Sequence, residues 1–305
     1  MFQYVPFQWL FIFYTYCFLG WCFESAFVSI KSKKWINRGF MRGPFLPLYG
    51  SGATMMLVVS MPFADHIVLT YVAGCIGATV LEYITGVTME ALFNVRYWDY
   101  SNRPFNFQGQ ICLRSTLTWG FFTVLMTRVL HWPLDRFVQS VPSRALYYVT
   151  VLLTVYIVID FTLSFKTALD IRDILVKLQR VRDEMVRMQR RLDVIAAFNN
   201  DEKEQRKQDR ELSLSELRMS LKQRFMDLKD SIQAKPSIYG EAIREEIAEL
   251  RGKFSNFPDP RETYKDMLDF YKRDMIRNNP MMASDKYKDS LDELKNIADI
   301  KKGQQ

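Results

Sequence analysis

Cysteine and histidine are scarce in this chain of 305 residues, with four of the first and two of the second. Cys17, Cys22, Cys75 and Cys112 form no Cys-x-x-Cys pair, and three lie inside apolar runs, where cysteine behaves as a small hydrophobe. His66 and His131 each stand near the end of an apolar run, which leaves too few soft ligands for a structural zinc site. No Gly-x-x-x-x-Gly-Lys-Ser/Thr phosphate loop occurs, so the chain is not expected to be its own ATPase. Nor is there a nucleophile constellation. The stretch YGSGA at 49–53 has the outline of a serine elbow, but both histidines belong to the opposite, outer face, and a Ser–His dyad needs them adjacent. A small-residue packing face is the expected role. No catalytic residue, metal or cofactor is predicted, and the chain is not expected to be an enzyme.

A one-sided basic surplus is missing too. The first 165 residues carry 11 Lys and Arg against 7 Asp and Glu, and the remainder 30 against 27. Nucleic-acid binding needs a concentrated basic face, so that class is excluded. Met1 leads into the apolar run 7–23 without a basic n-region or a small-residue cleavage site, so this run is expected to stay as a membrane span.

What the chain does have is long apolar runs. Five segments, about 7–30, 44–63, 66–92, 115–134 and 145–165, approach the length that crosses about 30 Å of hydrocarbon. The fourth is the weakest, because Arg128 interrupts it. Lys31, Lys33, Lys34, Arg38 and Arg42 follow the first run, and Arg96, Arg103 and Arg114 follow the third. The link between the second and third runs has no Lys or Arg. Positive residues favour the cytoplasmic side, which predicts a plasma-membrane protein with its N-terminus outside and its tail inside. The expected fold is all-α: an integral membrane helical bundle over 1–165, a juxtamembrane coiled coil over 166–235, and a C-terminal helical region over 236–305.

The coiled-coil expectation rests on Ile171, Ile174, Leu178, Val181, Met185, Met188, Leu192 and Ile195, which step alternately by three and four. A second periodic stretch runs through Leu214, Leu217, Leu221, Phe225, Leu228 and Ile232, beyond the polar run FNNDEKEQRKQDRE. The seam fits either a parallel homodimer continuing from the fifth span or an antiparallel hairpin in which 212–232 folds back. Continuity with the span favours the dimer. Arg172, Lys177, Arg180 and Arg182 lie within a few turns of the bilayer and suit anionic membrane lipid. Further on, Pro236 and Gly240 punctuate the chain before a helix around 241–253. Asp259, Pro260 and Glu262 then form a helix start, that helix ends near Asn278–Pro280, and another begins near Ser284.

Four acids, Glu24, Glu82, Glu90 and Asp160, fall within or at the inner ends of the spans, where a charge is expensive and faces the bundle interior. Gly74, Ala78, Glu82, Gly86 and Glu90 recur every fourth residue, so the carboxylates share a ridge of small residues that admits a neighbouring helix. Two readings stand: salt bridges to Arg38, Arg42 or Arg96, or a polar cavity for a cation, proton or headgroup. The stretch RYWDYSNRPFNFQGQICLRSTLTWG at 96–120 adds aromatic rings suited to headgroup level. Its Asn106, Gln108 and Gln110 alternate with apolar residues, while Pro104 and Gly109 discourage a regular helix. Residues 94–114 are therefore expected to form an interfacial or re-entrant element at the inner mouth, either as a structural plug or as a contact for substrate or partner. The candidate cavity or ligand residues are Glu24, Arg42, Glu82, Glu90, Trp98, Asp99, Asn106, Gln108 and Gln110.

The motifs NRGFMRGPFLPLYGSGA at 37–53, LEYITGVTMEALFNVRYWDYS at 81–101 and NRPFNFQGQICLRSTLTWG at 102–120 resemble the CmpB-like ABC-transporter type IV membrane family over about residues 8–135. The resemblance implies a bacterial-type plasma-membrane protein of permease character, and it brings no substrate or catalytic residue. The long helical tail is an addition to the family's compact form. The function expected is a permease-like component for a small polar or amphiphilic solute, served by a separate ATPase or other subunit. The alternative is a membrane scaffold or signalling adaptor that assembles partners through its tail.

Overall fold

Proline opens the first two helices. Pro6 begins α1 (Pro6–Ser32) and Pro47 begins α2 (Pro47–Ser60), where the missing N–H costs nothing and φ is already helical. A 3₁₀ turn at Met61–Phe63 leads to α3 (Ile67–Phe93). Lys33 and Asn94, both left-handed, close α1 and α3. A short antiparallel hairpin pairs β1 (Asn106–Phe107) with β2 (Ile111–Cys112). Then follow α4 (Leu113–Leu125), a π-helical turn at Met126–Leu130, α5 (His131–Ser140) and α6 (Ser143–Ala197). The remaining helices among the described residues are α7 (Leu214–Ala234), α8 (Glu241–Ser255), α9 (Phe270–Asn278) and α10 (Lys288–Ile300).

The computed structural model describes residues 3–197, 213–234, 241–257 and 267–300. The polar run after Ala197, the breakers Pro236 and Gly240, and the helix start at Asp259, Pro260 and Glu262 lie outside the described residues. Of the expected tail helices, the one around 241–253 is α8, and the one expected to end near Asn278 is α9. The last starts at Lys288, four residues past Ser284, whose Oγ accepts the Tyr287 N–H at 3.2 Å.

The chain divides into two compact units. One is the N-terminal part to Asp170 together with Asp274–Ala283, and the other is Ile171–Arg273 together with the residues from Ser284. In the first unit α1 packs on α2, α2 on α3, and α3 on α4. Its outward face is apolar: Val68, Ile76, Val80 and Ile84 on α3 and Leu152, Val158 and Ile159 on α6 are exposed. Its inward face is small or polar: Thr70, Gly74, Ala78, Glu82 and Gly86 on α3 are buried. A Cβ at Gly74 would overlap the Thr123 side chain of α4, so the small residue sets how closely the two helices approach.

Among the described residues three helices, α1, α3 and α6, are long and apolar enough to cross a membrane. At 14 residues α2 rises only about 21 Å at about 1.5 Å per residue, and its 3₁₀ extension adds one turn. α4 and α5 follow one another without a break but through the π turn, which contains Arg128, and the Arg128 guanidinium donates to the Ala64 carbonyl.

The second unit is built on the two periodic stretches. Ile171, Ile174, Leu178, Met185, Met188, Leu192 and Ile195 of α6 are buried, as are Leu214, Leu217, Leu221, Phe225 and Leu228 of α7. Polar contacts mark what covers the α6 seam. Asp193 pairs with Arg224 of α7, while Arg182 meets Asp289 at 3.0 Å and Gln179 accepts from Ser290 at 2.8 Å, both at α10. The seam is thus covered within the single chain and needs no second copy to leave water.

Candidate functional site

A cavity of about 440 Å³ lies in the first unit, between α1, α2, α3, α4, α6 and the chain at Asn279. Glu24, Arg38, Tyr49, Glu82, Tyr100 and Trp119, with the hydroxyls of Ser51, Thr85 and Thr88 and the Asn279 amide, supply its polar wall, and Phe40, Trp98, Phe161 and Phe165 are among its apolar residues.

Glu82 comes from the small-residue ridge of α3 and is 6% exposed. Three neutral groups donate to its carboxylate: Tyr100 Oη at 3.2 Å, Ser115 Oγ at 2.8 Å and Trp119 Nε1 at 3.0 Å. Ser115 and Trp119 stand one turn apart on α4, so a single helix face delivers both. No Lys or Arg among the described residues pairs with Glu82. Burial, followed by the Glu82 charge, pushes the Tyr100 hydroxyl above the ordinary phenol range, so it remains a donor at neutral pH.

Glu24 is held differently. Tyr49 Oη donates to it at 2.6 Å, and Arg38 Nε lies 3.8 Å away. Arg38 is itself anchored, its Nη1 donating to Asn279 Oδ1 at 2.8 Å and to the Asn278 carbonyl at 3.2 Å. Asn279, 2% exposed, returns its own amide N–H to the Gly39 and Met275 carbonyls. Nearby, Arg96 and Ala283 exchange both backbone hydrogen bonds, at 2.7 and 2.9 Å, and Tyr97 Oη reaches Met275 Sδ at 3.9 Å. Residues 274–283 are thereby stitched into the membrane-type unit more than a hundred residues after the chain left it.

Among the sequence-derived candidates, Glu24, Glu82 and Trp98 line the cavity, and the other six do not. Glu90 accepts from Arg96 Nε at 2.8 Å and from the Gln110 amide. Gln110 is buried against Gly86, where a Cβ would overlap its amide oxygen, and its carbonyl accepts the Trp98 indole N–H at 2.9 Å. Asp99 caps Ser101 and lies 3.9 Å from Arg96. Asn106 ties down the hairpin through the Ser101 and Arg103 carbonyls and the Gly109 N–H, and Gln108 accepts from Tyr83 at 3.1 Å. Arg42 reaches α6 instead, donating to Thr167 Oγ1 at 2.7 Å. Next to it the Gly43 N–H donates to Asp160 at 2.8 Å, so that intramembrane acid meets backbone rather than an arginine.

Tyr49, Tyr100, Ser115, Trp119 and Asn279 were missed as site residues. Ser115 and Trp119 carried a signal, two polar-tipped side chains four apart at the mouth of an apolar run. Asn279 carried none. A second buried polar cluster lies elsewhere in the unit. His131 meets Tyr4 Oη at 2.8 Å and Tyr16 Oη at 2.9 Å, and Tyr4 also donates to Asp135. No group of three or more His, Cys, Asp or Glu among the described residues is placed to hold a metal ion.

These features define a class: a helical bundle with spans fit for a membrane, enclosing a charged cavity walled by aromatics. The family model described as "Putative ABC-transporter type IV" matches residues 11–165, about half of the chain, and the chain belongs to that family. Every residue lining the cavity except Asn279 falls in the matched stretch. Neither a curated protein nor a solved structure matches the chain.

Proposed function

We propose that the chain is a permease-like membrane component that holds a small polar or amphiphilic solute in the cavity at Glu82 and takes its energy from a separate ATPase subunit. The observation that carries this reading is the cavity itself. Its volume falls within the about 300–1,000 Å³ of small-molecule sites, its walls are mostly apolar, and a few placed polar groups converge on it. Membership of a transporter family supports the same reading, as does the absence of a phosphate loop from the sequence. In this reading the chain crosses the membrane five times, with the short α2 and the α4–α5 run as the second and fourth crossings. The basic loop at Lys33 then lies in the cytoplasm and Asp65 outside. Cysteine placed at 65 in a cysteine-free background should react with an impermeant maleimide in intact cells, and cysteine at 33 should not. The reverse pattern defeats this topology.

Binding tests the permease reading. The full chain in lipid nanodiscs is heated with cationic, anionic, zwitterionic and neutral amphiphiles in turn. At a hundredfold excess over Kd a ligand stabilises the folded state by about 2.7 kcal/mol, a readily measured rise in Tm. At least one class should stabilise the protein saturably, and Thr85→Trp, which fills the cavity, should abolish the effect while leaving the unliganded Tm within a few degrees. If no class stabilises the protein, the permease reading fails.

A scaffold or adaptor role is the second reading, favoured by a tail of nearly half the chain that lies beyond the family match. Because the seam is covered within one chain, such a tail presents its charged outer surface, not an open zipper, to other proteins. Stable co-purification of envelope or division proteins that depends on residues after Asp170 would support this reading over the first.

A further inference from the structure

We infer, building on the permease reading above, that the solute is a lipophilic organic cation and that Glu82 receives its charge. Glu82 is buried, its hydrogen bonds come only from neutral donors, and no basic residue among the described ones balances it. Buried charges in proteins are paired, coordinated or neutralised, so a carboxylate facing a cavity without a countercharge holds its proton until a positive ligand takes the proton's place. The cavity's other charges cancel in place. Glu24 faces Arg38, and Arg38 is further fixed by Asn279 and the Asn278 carbonyl. With Glu82 ionised the lining therefore sums to one negative charge, which the bound cation would balance.

The rest of the wall fits the same ligand. Phe40, Tyr49, Trp98, Tyr100, Trp119 and Phe161 surround the space, and aromatic faces attract desolvated cations through their quadrupoles. An anionic solute would meet two carboxylates and one arginine already engaged. A neutral polyol would find hydroxyls at Ser51, Thr85 and Thr88 but would leave the Glu82 charge unmatched, since the Tyr100, Ser115 and Trp119 donors to it are all neutral. A bare metal ion would need several hard ligands converging, and no group of three His, Cys, Asp or Glu among the described residues provides them. A bulky apolar cation needs only a carboxylate and rings.

Tetraphenylphosphonium and tetraphenylborate, nearly identical in shape and opposite in charge, make the test. Saturable binding of each to the full chain in zwitterionic nanodiscs is measured by equilibrium dialysis, with empty discs subtracted. The phosphonium should bind at least tenfold tighter than the borate. Glu82→Gln should lower phosphonium affinity about tenfold or more, while Glu90→Gln, outside the cavity, should change it less than twofold. If E82Q does not assemble, Trp98→Leu, which keeps the carboxylate, should weaken phosphonium binding at least threefold without reversing the preference. Preference for the borate, equal binding of both, or saturable binding of neither overturns the cation assignment. The permease reading survives any of these results if another amphiphile class stabilises the protein in a cavity-dependent way, and it falls with the cation assignment only if none does.

Discussion

In the first stretch of α6 Leu152, Val158 and Ile159 face outward while Thr150, Asp160 and Ser164 are buried. Beyond Ile171 the same helix buries Leu175, Leu178 and Met185 and exposes Asp173, Lys177, Arg180 and Asp183. No break separates the two stretches. The backbone is the same, so the difference lies in what each stretch is dissolved in. Where polar groups hide and apolar ones do not, the surroundings are themselves apolar, and packing rests on small residues and internal hydrogen bonds. Where apolar groups hide, water drives the burial. The reversal falls between Phe165 and Ile171, and it uses the side chains' orientation as well as the identity that hydropathy reads.

The largest expected effect comes from breaking the second stretch. Leu178→Asp with Met185→Asp removes two fully buried side chains, each about 2–5 kcal/mol, and inserts charge in their place. The second unit should unfold, seen as lost helicity and rapid proteolysis after Asp170, while the first stays in the membrane fraction. A tail still helical and protease-resistant would show that the seam is not covered within the chain.

The mirror experiment, Leu152→Asp, puts the same charge on the outward face of the first stretch. It should cost about 2.5–3.5 kcal/mol of insertion free energy, read as lost membrane integration, although Leu152 is 70% exposed. In water the change would be nearly neutral, so normal integration would collapse the comparison.

A smaller effect sharpens the inner boundary. Arg96→Gln leaves the partly buried Glu90 without its ion pair and should lower stability by about 1–3 kcal/mol in thermal unfolding, with Glu90→Gln in the same chain recovering most of it. The smallest belongs to the tail surface. Arg172→Ala breaks an exposed pair with Asp173 and should change Tm by less than a degree or two, equivalent to under about 0.5 kcal/mol.

Much of this was legible in the residues, for reasons that vary by position. The α6 seam announces itself because burial follows a helical period, but periodicity says only that a face is covered. It does not say by what, and within the single chain the cover comes from α7 and α10. Glu82 and Glu90 look alike in the sequence, eight residues apart on one ridge. Their difference is made by distant partners, neutral donors from α4 and the Tyr100 loop for one, Arg96 and Gln110 for the other. The hairpin at 106–112 was legible only as an absence of helix, since it depends on left-handed backbone at Phe105 and Gln108 as well as at Gly109. The return of Asn279 to Arg38 has no local signature at all: one amide in a polar tail looks like any other until the chain has folded.

The π turn at Met126–Leu130 has a consequence for lesions that change length. It absorbs one residue more than an α-helix would, and each residue turns an α-helix by about 100°. Loss of a single residue there would let the helix close into regular α geometry with little change of phase, because the wide turn fits one extra residue into about the same rotation. His131 would keep Tyr4 and Tyr16, whereas the same loss within the regular part of α4 would turn His131 away from them by about 100° and swing an outward side chain such as Trp132 toward the core. The orientation of α5 is therefore fixed by counting rather than by chemistry, and a one-residue deletion in this turn should injure the bundle less than the same deletion one turn earlier in α4.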